Sequence, residues 1–148
     1  MFFDQRYWIE PRDDRKFLAE VFKYFQGGAL VLLEGDLEHF HFQDILGFTT
    51  RISEPFAPQA SDAKEKIVLP LEQSTYEQIL ERILPSNRFK KTIEAIQIVK
   101  EGDIRFMTGD NFHHECISIH AETSKNFLES LRLRFIIKRF YLLERSAR

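Results

Sequence analysis

The residues of this sequence that could hold a metal ion are its histidines and its one cysteine. His39 and His41 are two residues apart, so a β-strand would direct both imidazole rings to the same side. Cys116 and His120 are four residues apart and would also share one face of a strand. Zinc and similar ions need three or four such ligands. One hypothesis is therefore a small metal-dependent enzyme that uses His39, His41, Cys116 and His120.

A simpler interpretation is that these residues border an apolar core, where main-chain groups or water satisfy each imidazole. The helical H-E-x-x-H pattern of zinc proteases is absent, because the histidine after His114 and Glu115 comes two positions too late. Asp110 and Glu115 flank Cys116, and their negative charges would raise its pKa instead of activating the thiol. Glycine-rich phosphate loops, G-x-S-x-G elbows and kinase motifs are also absent from the sequence. We therefore predict no catalytic residues, no bound metal and no cofactor.

Composition narrows the function classes further. The chain has 148 residues, of which 43% are hydrophobic, and this suits a single globular domain over residues 1–148. The sequence pI is about 6.2. A nucleic-acid-binding domain usually has a pI above about 9, so we expect no nucleic-acid partner. No charge-free apolar stretch approaches the roughly 18 residues that a membrane span requires, so we expect no membrane contact.

Cysteine usage and the N-terminal residues indicate a compartment. A single cysteine cannot form an internal disulfide. Asp4 stands where a secretion signal would carry positive charge, and no apolar segment follows it. We therefore expect a reducing, cytoplasmic location.

Acidic residues and aromatic residues near turns favour a surface that binds another protein. The chain has fifteen Phe against four Tyr and one Trp. Several of them, including Phe112, fall in or near predicted turns, where an aromatic ring either covers the core or anchors a partner. Exposed acids would speed association with a basic partner. The predicted partner-binding residues are Glu34, Asp36, Glu38, Asp110, Asn111, Phe112 and His113.

Three helices are predicted to position these residues. Apolar residues at helical spacing indicate a helix over about Arg12–Phe25, and the glycines after it offer a stop. Ser74–Glu77 matches a capping box and predicts a second helix, which ends before Pro85. A last helix begins near Ser124 and runs to about residue 135. Residues 136–143 fit either a continued helix or an edge strand.

Short apolar or alternating segments predict the strands. Pro70 indicates that the end of its strand lies at a sheet margin, and Glu101–Asp103 is typical of a hairpin turn. The predicted strands are Ala29–Leu33, Thr49–Ser53, Ile67–Leu71, Ile93–Lys100, Ile104–Thr108 and Cys116–His120. Hairpin-linked strands outnumber helical crossovers. We therefore expect an α+β domain with a mostly antiparallel sheet of about five to six strands and about three helices on one face.

The C-terminal segment differs in charge from the rest of the chain. Residues 126–148 contain six basic and two acidic residues, whereas the whole chain has a net charge of −2. Apolar residues occur on all sides of this segment, which is typical of an element packed in a fold. A homo-oligomeric structural subunit with the C-terminal segment as its interface is therefore a further hypothesis.

The predicted hairpin and the turn after it resemble a known pattern. Residues 96–106 read IQIVKEGDIRF, and residues 110–116 read DNFHHEC. These segments are similar to small uncharacterised bacterial α+β proteins, some of which are immunity proteins for polymorphic toxins. The resemblance implies a non-enzymatic bacterial protein that occludes a partner protein, a basic toxin domain being one example. It implies no catalytic residues.

Overall fold

The fold is built on one antiparallel sheet. A computed structural model of the chain describes residues 4–57, 65–86 and 88–145. The strands within these ranges are β1 (Asp4–Pro11), β2 (Ala29–Gly35), β3 (Glu65–Leu71), β4 (Ile93–Lys100), β5 (Asp103–Thr108), β6 (Ser118–His120) and β7 (Ile137–Arg145). Their order across the sheet is β3-β2-β4-β5-β6-β1-β7, and every neighbouring pair is antiparallel.

Four α-helices occur in the described part of the chain. They are α1 (Asp14–Phe25), α2 (Tyr76–Ile83), α3 (Phe89–Thr92) and α4 (Lys125–Leu133). The side chain of Asp13 accepts a hydrogen bond from the Lys16 N–H at 3.1 Å and so begins α1. Ser124 accepts from the Phe127 N–H in the same way at the start of α4. Within the described ranges, no helix is long and apolar enough to cross a membrane.

The two faces of the sheet are covered differently. Among the described residues, Val31 and Leu33 of β2 belong to the larger of two hydrophobic clusters, to which α1, α2, α3 and α4 contribute buried side chains. Leu32, between them, points to the opposite face because side chains alternate along a strand. It belongs to a smaller cluster with Phe56, Val68 and Val99. Phe56 lies in the segment after residue 50, so a loop covers that part of the second face.

The structure confirms the α+β class and the antiparallel sheet. Its described ranges contain seven strands, more than the five to six predicted, and four α-helices instead of about three. The sequence did not predict β1. This strand pairs over eight positions with β7, for which the sequence allowed either an edge strand or a continued helix. Arg6 and Glu10 interrupt the apolar pattern of β1, so the pattern does not predict a strand there. Thr49–Ser53 is not a strand, and Thr49 forms only an isolated bridge with Val68.

The predicted capping box before α2 is wrong. The residue at the helix cap is Thr75, not Ser74. The Thr75 hydroxyl donates a hydrogen bond to the Pro70 oxygen at 2.6 Å and accepts one from the Glu72 N–H at 2.9 Å. The hydroxyl therefore closes the turn between β3 and α2. It does not accept a hydrogen bond from the first amides of α2.

From the sequence, residues 136–143 fit either a continued helix or an edge strand, and the structure places β7 there. The chain leaves α4 through Phe135, which has a φ of 60°. The Ile136 N–H donates to the Leu131 oxygen at 2.9 Å, and the chain then runs back beside β1. The C-terminal segment is therefore an edge strand of the sheet.

Candidate functional site

Both segments that the sequence assigned to a partner lie at the same end of the sheet. Here β2 and β5 end while β4 and β6 begin, because neighbouring strands are antiparallel. Helix α3 lies between the two segments. The Asp36 N–H donates to the Thr92 oxygen at 2.8 Å, and the Asn111 side chain donates to the Lys90 oxygen at 2.9 Å. We refer to residues 35–41, 88–92, 109–117 and 134–136 as the loop end of the sheet.

Gly35 lets the first segment approach α3 closely. Its φ is 149°, and a Cβ atom at this position would lie 2.1 Å from the main-chain oxygen of Thr92. Only glycine permits such an approach. The carboxylates of Asp36 and Glu38, which follow, are both exposed.

Two of the predicted partner-binding residues are not at the surface. Glu34 is fully buried within β2. Phe112 is only 7% exposed, and its ring makes edge-on contacts with Phe17 and Phe89 at centroid distances of 6.4 and 6.1 Å. Phe112 therefore covers the core and is not the exposed ring that the sequence analysis expected. The predicted residues that are exposed are Asp36, Glu38, Asp110, Asn111 and His113.

The 109–117 loop is shaped by main-chain hydrogen bonds between residues three apart. The His113 N–H donates to the Asp110 oxygen at 3.1 Å, and the Cys116 N–H donates to the His113 oxygen at 2.8 Å. These bonds close two consecutive tight turns. Because every third residue returns to the same side of such a chain, the side chains of Asp110, His113 and Cys116 gather.

The first of these turns has a strained backbone. Asp110, Asn111 and Phe112 have φ values of 45°, 53° and 68°. Residues other than glycine in such conformations cost roughly 1–3 kcal/mol each and persist only when their surroundings hold them. The hydrogen bonds of the Asn111 amide and the burial of Phe112 supply that support.

The structure does not bring together the four residues of the metal hypothesis. His39 and His41 lie in and between two short 3₁₀ turns instead of a strand. Cys116 lies in a 3₁₀ turn before β6, so it does not share a strand face with His120. Within the described residues, one group of potential ligands has its ligand atoms within 4.8 Å of one another. Its members are Asp110, His113 and Cys116.

Of this group, Cys116 alone belongs to the metal hypothesis drawn from the sequence, and neither Asp110 nor His113 was among its ligands. The available signal was the spacing D-x-x-H-x-x-C. That spacing places three side chains together in consecutive tight turns but separates them along an extended strand. Because the segment was expected to enter a strand at Cys116, the signal was missed.

The thiol of Cys116 lies in a negative environment. Partial burial raises the pKa of this thiol, and the charges of Asp110 and Glu115 raise it further. The arrangement therefore opposes an activated cysteine nucleophile. The same negative charges favour the binding of a cation beside Cys116.

An exposed aromatic residue, Phe135, adds an apolar element to the loop end. It is 71% exposed. Together with Phe89, Lys90 and the segment 12–15, it lines an open groove of about 450 Å³. The Lys90 ammonium pairs with the Asp14 carboxylate at 2.5 Å beside this groove. From the sequence, Phe135 lies at the end of the last predicted helix, and no pattern there indicates a surface residue, because the turn at Phe135 is evident only once β7 is known.

No protein-family model matches the chain, and no curated protein or solved structure matches it either. Any proposal for its function therefore depends on the residues of this chain alone.

Proposed function

We propose that this protein is a non-enzymatic, cytoplasmic protein-binding module that occludes a basic partner protein at the loop end of its sheet. The supporting observation is that exposed acids from two separate segments, Asp36 with Glu38 and Asp110, lie at the same end of the sheet as the exposed ring of Phe135. An immunity protein that blocks a basic toxin domain would act in this way.

The acids and the aromatic ring have different roles in this proposal. Exposed carboxylates attract a positively charged surface and raise the association rate, with a strong dependence on salt. The Phe135 ring would be desolvated in a pocket of the partner, and truncation of such a residue often costs about 2 kcal/mol or more of binding free energy. The positive charge of Lys90, close to the groove, is offset by Asp14.

The test compares charge-reversed variants at the two ends of the sheet. Tagged protein is incubated with native bacterial lysate, retained proteins are identified by mass spectrometry, and the affinity of the purified partner is measured by calorimetry. Asp36→Lys with Glu38→Lys should weaken binding more than tenfold. The matched control, Glu101→Lys with Glu122→Lys, makes the same change of charge at the opposite end and should leave affinity unchanged.

The role of the aromatic ring is tested separately with Phe135→Ala. This change should raise the dissociation rate without a large change in salt dependence, because it removes burial and no charge. The absence of any retained partner would refute the proposal. Equal affinity for the wild type and the loop-end variants would do the same.

Self-association through β7 is a second candidate function, which the position of this strand favours. β7 is the outermost strand beyond β1, and Tyr141 and Leu142 on it are 52% and 50% exposed. The main-chain groups on its outer side can pair with a further strand.

Point variants test this second candidate better than deletion, because removal of the segment would also expose β1. Tyr141→Lys with Leu142→Lys should convert a dimer to a monomer in sedimentation experiments. Leu46→Lys, at an exposed leucine away from this edge, is the control and should leave the mass unchanged. A wild-type protein that sediments as a monomer at high concentration would exclude this role.

A further inference from the structure

We propose that Asp110, His113 and Cys116 bind one transition-metal ion of the zinc class in the 109–117 loop. The carboxylate, imidazole and thiol ligand atoms lie within 4.8 Å of one another. Ligands about 2.0–2.3 Å from a tetrahedral ion are roughly 3.3–3.8 Å apart, so small side-chain rotations complete the site. Nitrogen, sulfur and carboxylate oxygen are the ligand types of zinc.

The main chain that carries the ligands is fixed on both sides. Phe112, between the first two ligands, is buried against Phe17 and Phe89. Ile117, directly after the last ligand, is fully buried. The Asn111 amide ties the loop to α3. An ion therefore has to order three side chains and no main-chain segment, which lowers the entropy cost of binding.

Access and charge also suit a dication. Asp110 and His113 are exposed and Cys116 is half-buried, so an ion can reach all three from solvent. The Asp110 carboxylate and a Cys116 thiolate neutralise two positive charges, and Glu115 adds a further negative charge nearby. Three protein ligands leave a fourth position for water or for a side chain of a partner.

Binding involves a defined exchange of protons and hydrogen bonds. Cys116 binds as the thiolate, so its thiol proton passes to solvent and affinity rises with pH. His113 binds as the neutral imidazole, and its Nδ1 atom accepts the Glu115 N–H at 3.2 Å. An ion on Nδ1 displaces this N–H, and an ion on Nε2 places the ring proton on Nδ1. In both cases the Glu115 amide loses its acceptor.

Zinc binding needs no partner protein, so this inference and the proposed function fail independently. Calorimetry of the full chain with Zn²⁺ should give one ion per chain with release of protons. A Co²⁺ titration should give the absorption of a thiolate ligand, and the NMR signal of the Glu115 amide should shift.

Variants of the ligands identify the site. His113→Gln and Cys116→Ser should each lower Zn²⁺ affinity more than about tenfold, the smallest effect usual for changes around a metal ligand, and Asp110→Asn should lower it too. His120→Gln is the matched control. His120 Nδ1 accepts the Glu122 N–H at 3.1 Å, just as His113 accepts that of Glu115, but His120 lies outside the ligand group. Its replacement should leave affinity unchanged.

A measurement on the wild-type protein tests the site even where the variants fail to fold. Zn²⁺ should slow alkylation of Cys116 by iodoacetamide, and a chelator should restore the rate. The inference is overturned if the wild type binds no stoichiometric Zn²⁺, if alkylation is unaffected by Zn²⁺, or if folded His113→Gln binds as tightly as His120→Gln.

Discussion

The side-chain amide of Asn111 donates a hydrogen bond to the main-chain oxygen of Lys90 at 2.9 Å. The same amide reaches the Lys91 oxygen at 3.3 Å. Asn111 also has a φ of 53°, a left-handed conformation that asparagine tolerates better than most residues. One side chain therefore both permits the turn of the 109–117 loop and attaches that loop to α3.

Two substitutions separate these contributions of Asn111. Asn111→Gly keeps the left-handed conformation but removes the hydrogen bonds, so the free energy of unfolding should fall by about 1 kcal/mol. Asn111→Ala removes the hydrogen bonds and also disfavours the left-handed conformation, so the free energy of unfolding should fall by about 2 kcal/mol. Urea denaturation followed by circular dichroism measures both values. Asn126→Ala, at an exposed position in α4, should cost little. If Asn111→Ala costs no more than this control, the attachment contributes nothing to stability.

Gly35 should be intolerant of any side chain. In Gly35→Ala the new Cβ would meet the Thr92 oxygen, so β2 or α3 must move and the free energy of unfolding should fall by about 3 kcal/mol or more. Gly28→Ala is a suitable control, because Gly28 has a φ of 66° with open space around it. It should cost about 1 kcal/mol, from backbone strain alone. Equal losses for the two variants in thermal or urea unfolding would show that the contact with Thr92 is unimportant.

The elements that the sequence predicted are those whose signals are local. The β4–β5 hairpin follows from the alternation of its two arms and from the turn at Gly102, and α1 follows from its apolar spacing and the glycines after it. The pairing of β1 with β7 joins opposite ends of the chain, and no local pattern reports it. In β1 the charged Arg6 is buried, whereas a charged residue in a sequence usually indicates an exposed position.

The candidate site was predictable only in part, because some of its contacts are not reported by local sequence patterns. The alternating acids Glu34, Asp36 and Glu38 predict three surface residues, and the structure exposes Asp36 and Glu38 but buries Glu34. The grouping of Asp110 with His113 and Cys116 depends on two tight turns, one of which contains left-handed residues that sequence patterns do not indicate. The burial of Phe112 depends on the position of α3, which is only four residues long.

Arg6 should contribute more to stability than the exposed arginines. It is 5% exposed, and its guanidinium donates to the Ser118 hydroxyl at 2.7 Å and to the Ile104 oxygen at 3.1 Å. Arg6→Ala removes hydrogen bonds that join β1 to β5 and β6 and leaves buried acceptors without a donor. The free energy of unfolding should fall by about 3 kcal/mol.

An arginine on the neighbouring strand provides the control for Arg6. Arg139 pairs with Glu10 at 3.0 Å, but its side chain is largely exposed. Because surface ion pairs contribute at most about 1 kcal/mol, Arg139→Ala should cost much less than Arg6→Ala. Chemical denaturation of both variants measures the difference. Similar losses would mean that the buried guanidinium has no special role in holding the strands together.

The reactivity of Cys116 should report the charges around it. Partial burial, Asp110 and Glu115 all raise the pKa of its thiol, and iodoacetamide reacts with the thiolate. The midpoint of the alkylation rate against pH should therefore lie above about 8.5, the ordinary value for cysteine. Asp110→Asn and Glu115→Gln each remove a negative charge and should move the midpoint to lower pH. Glu122→Gln, at the opposite end of the sheet, should not move it. An unshifted wild-type midpoint, or equal midpoints for Asp110→Asn and Glu122→Gln, would contradict the electrostatic account of this loop.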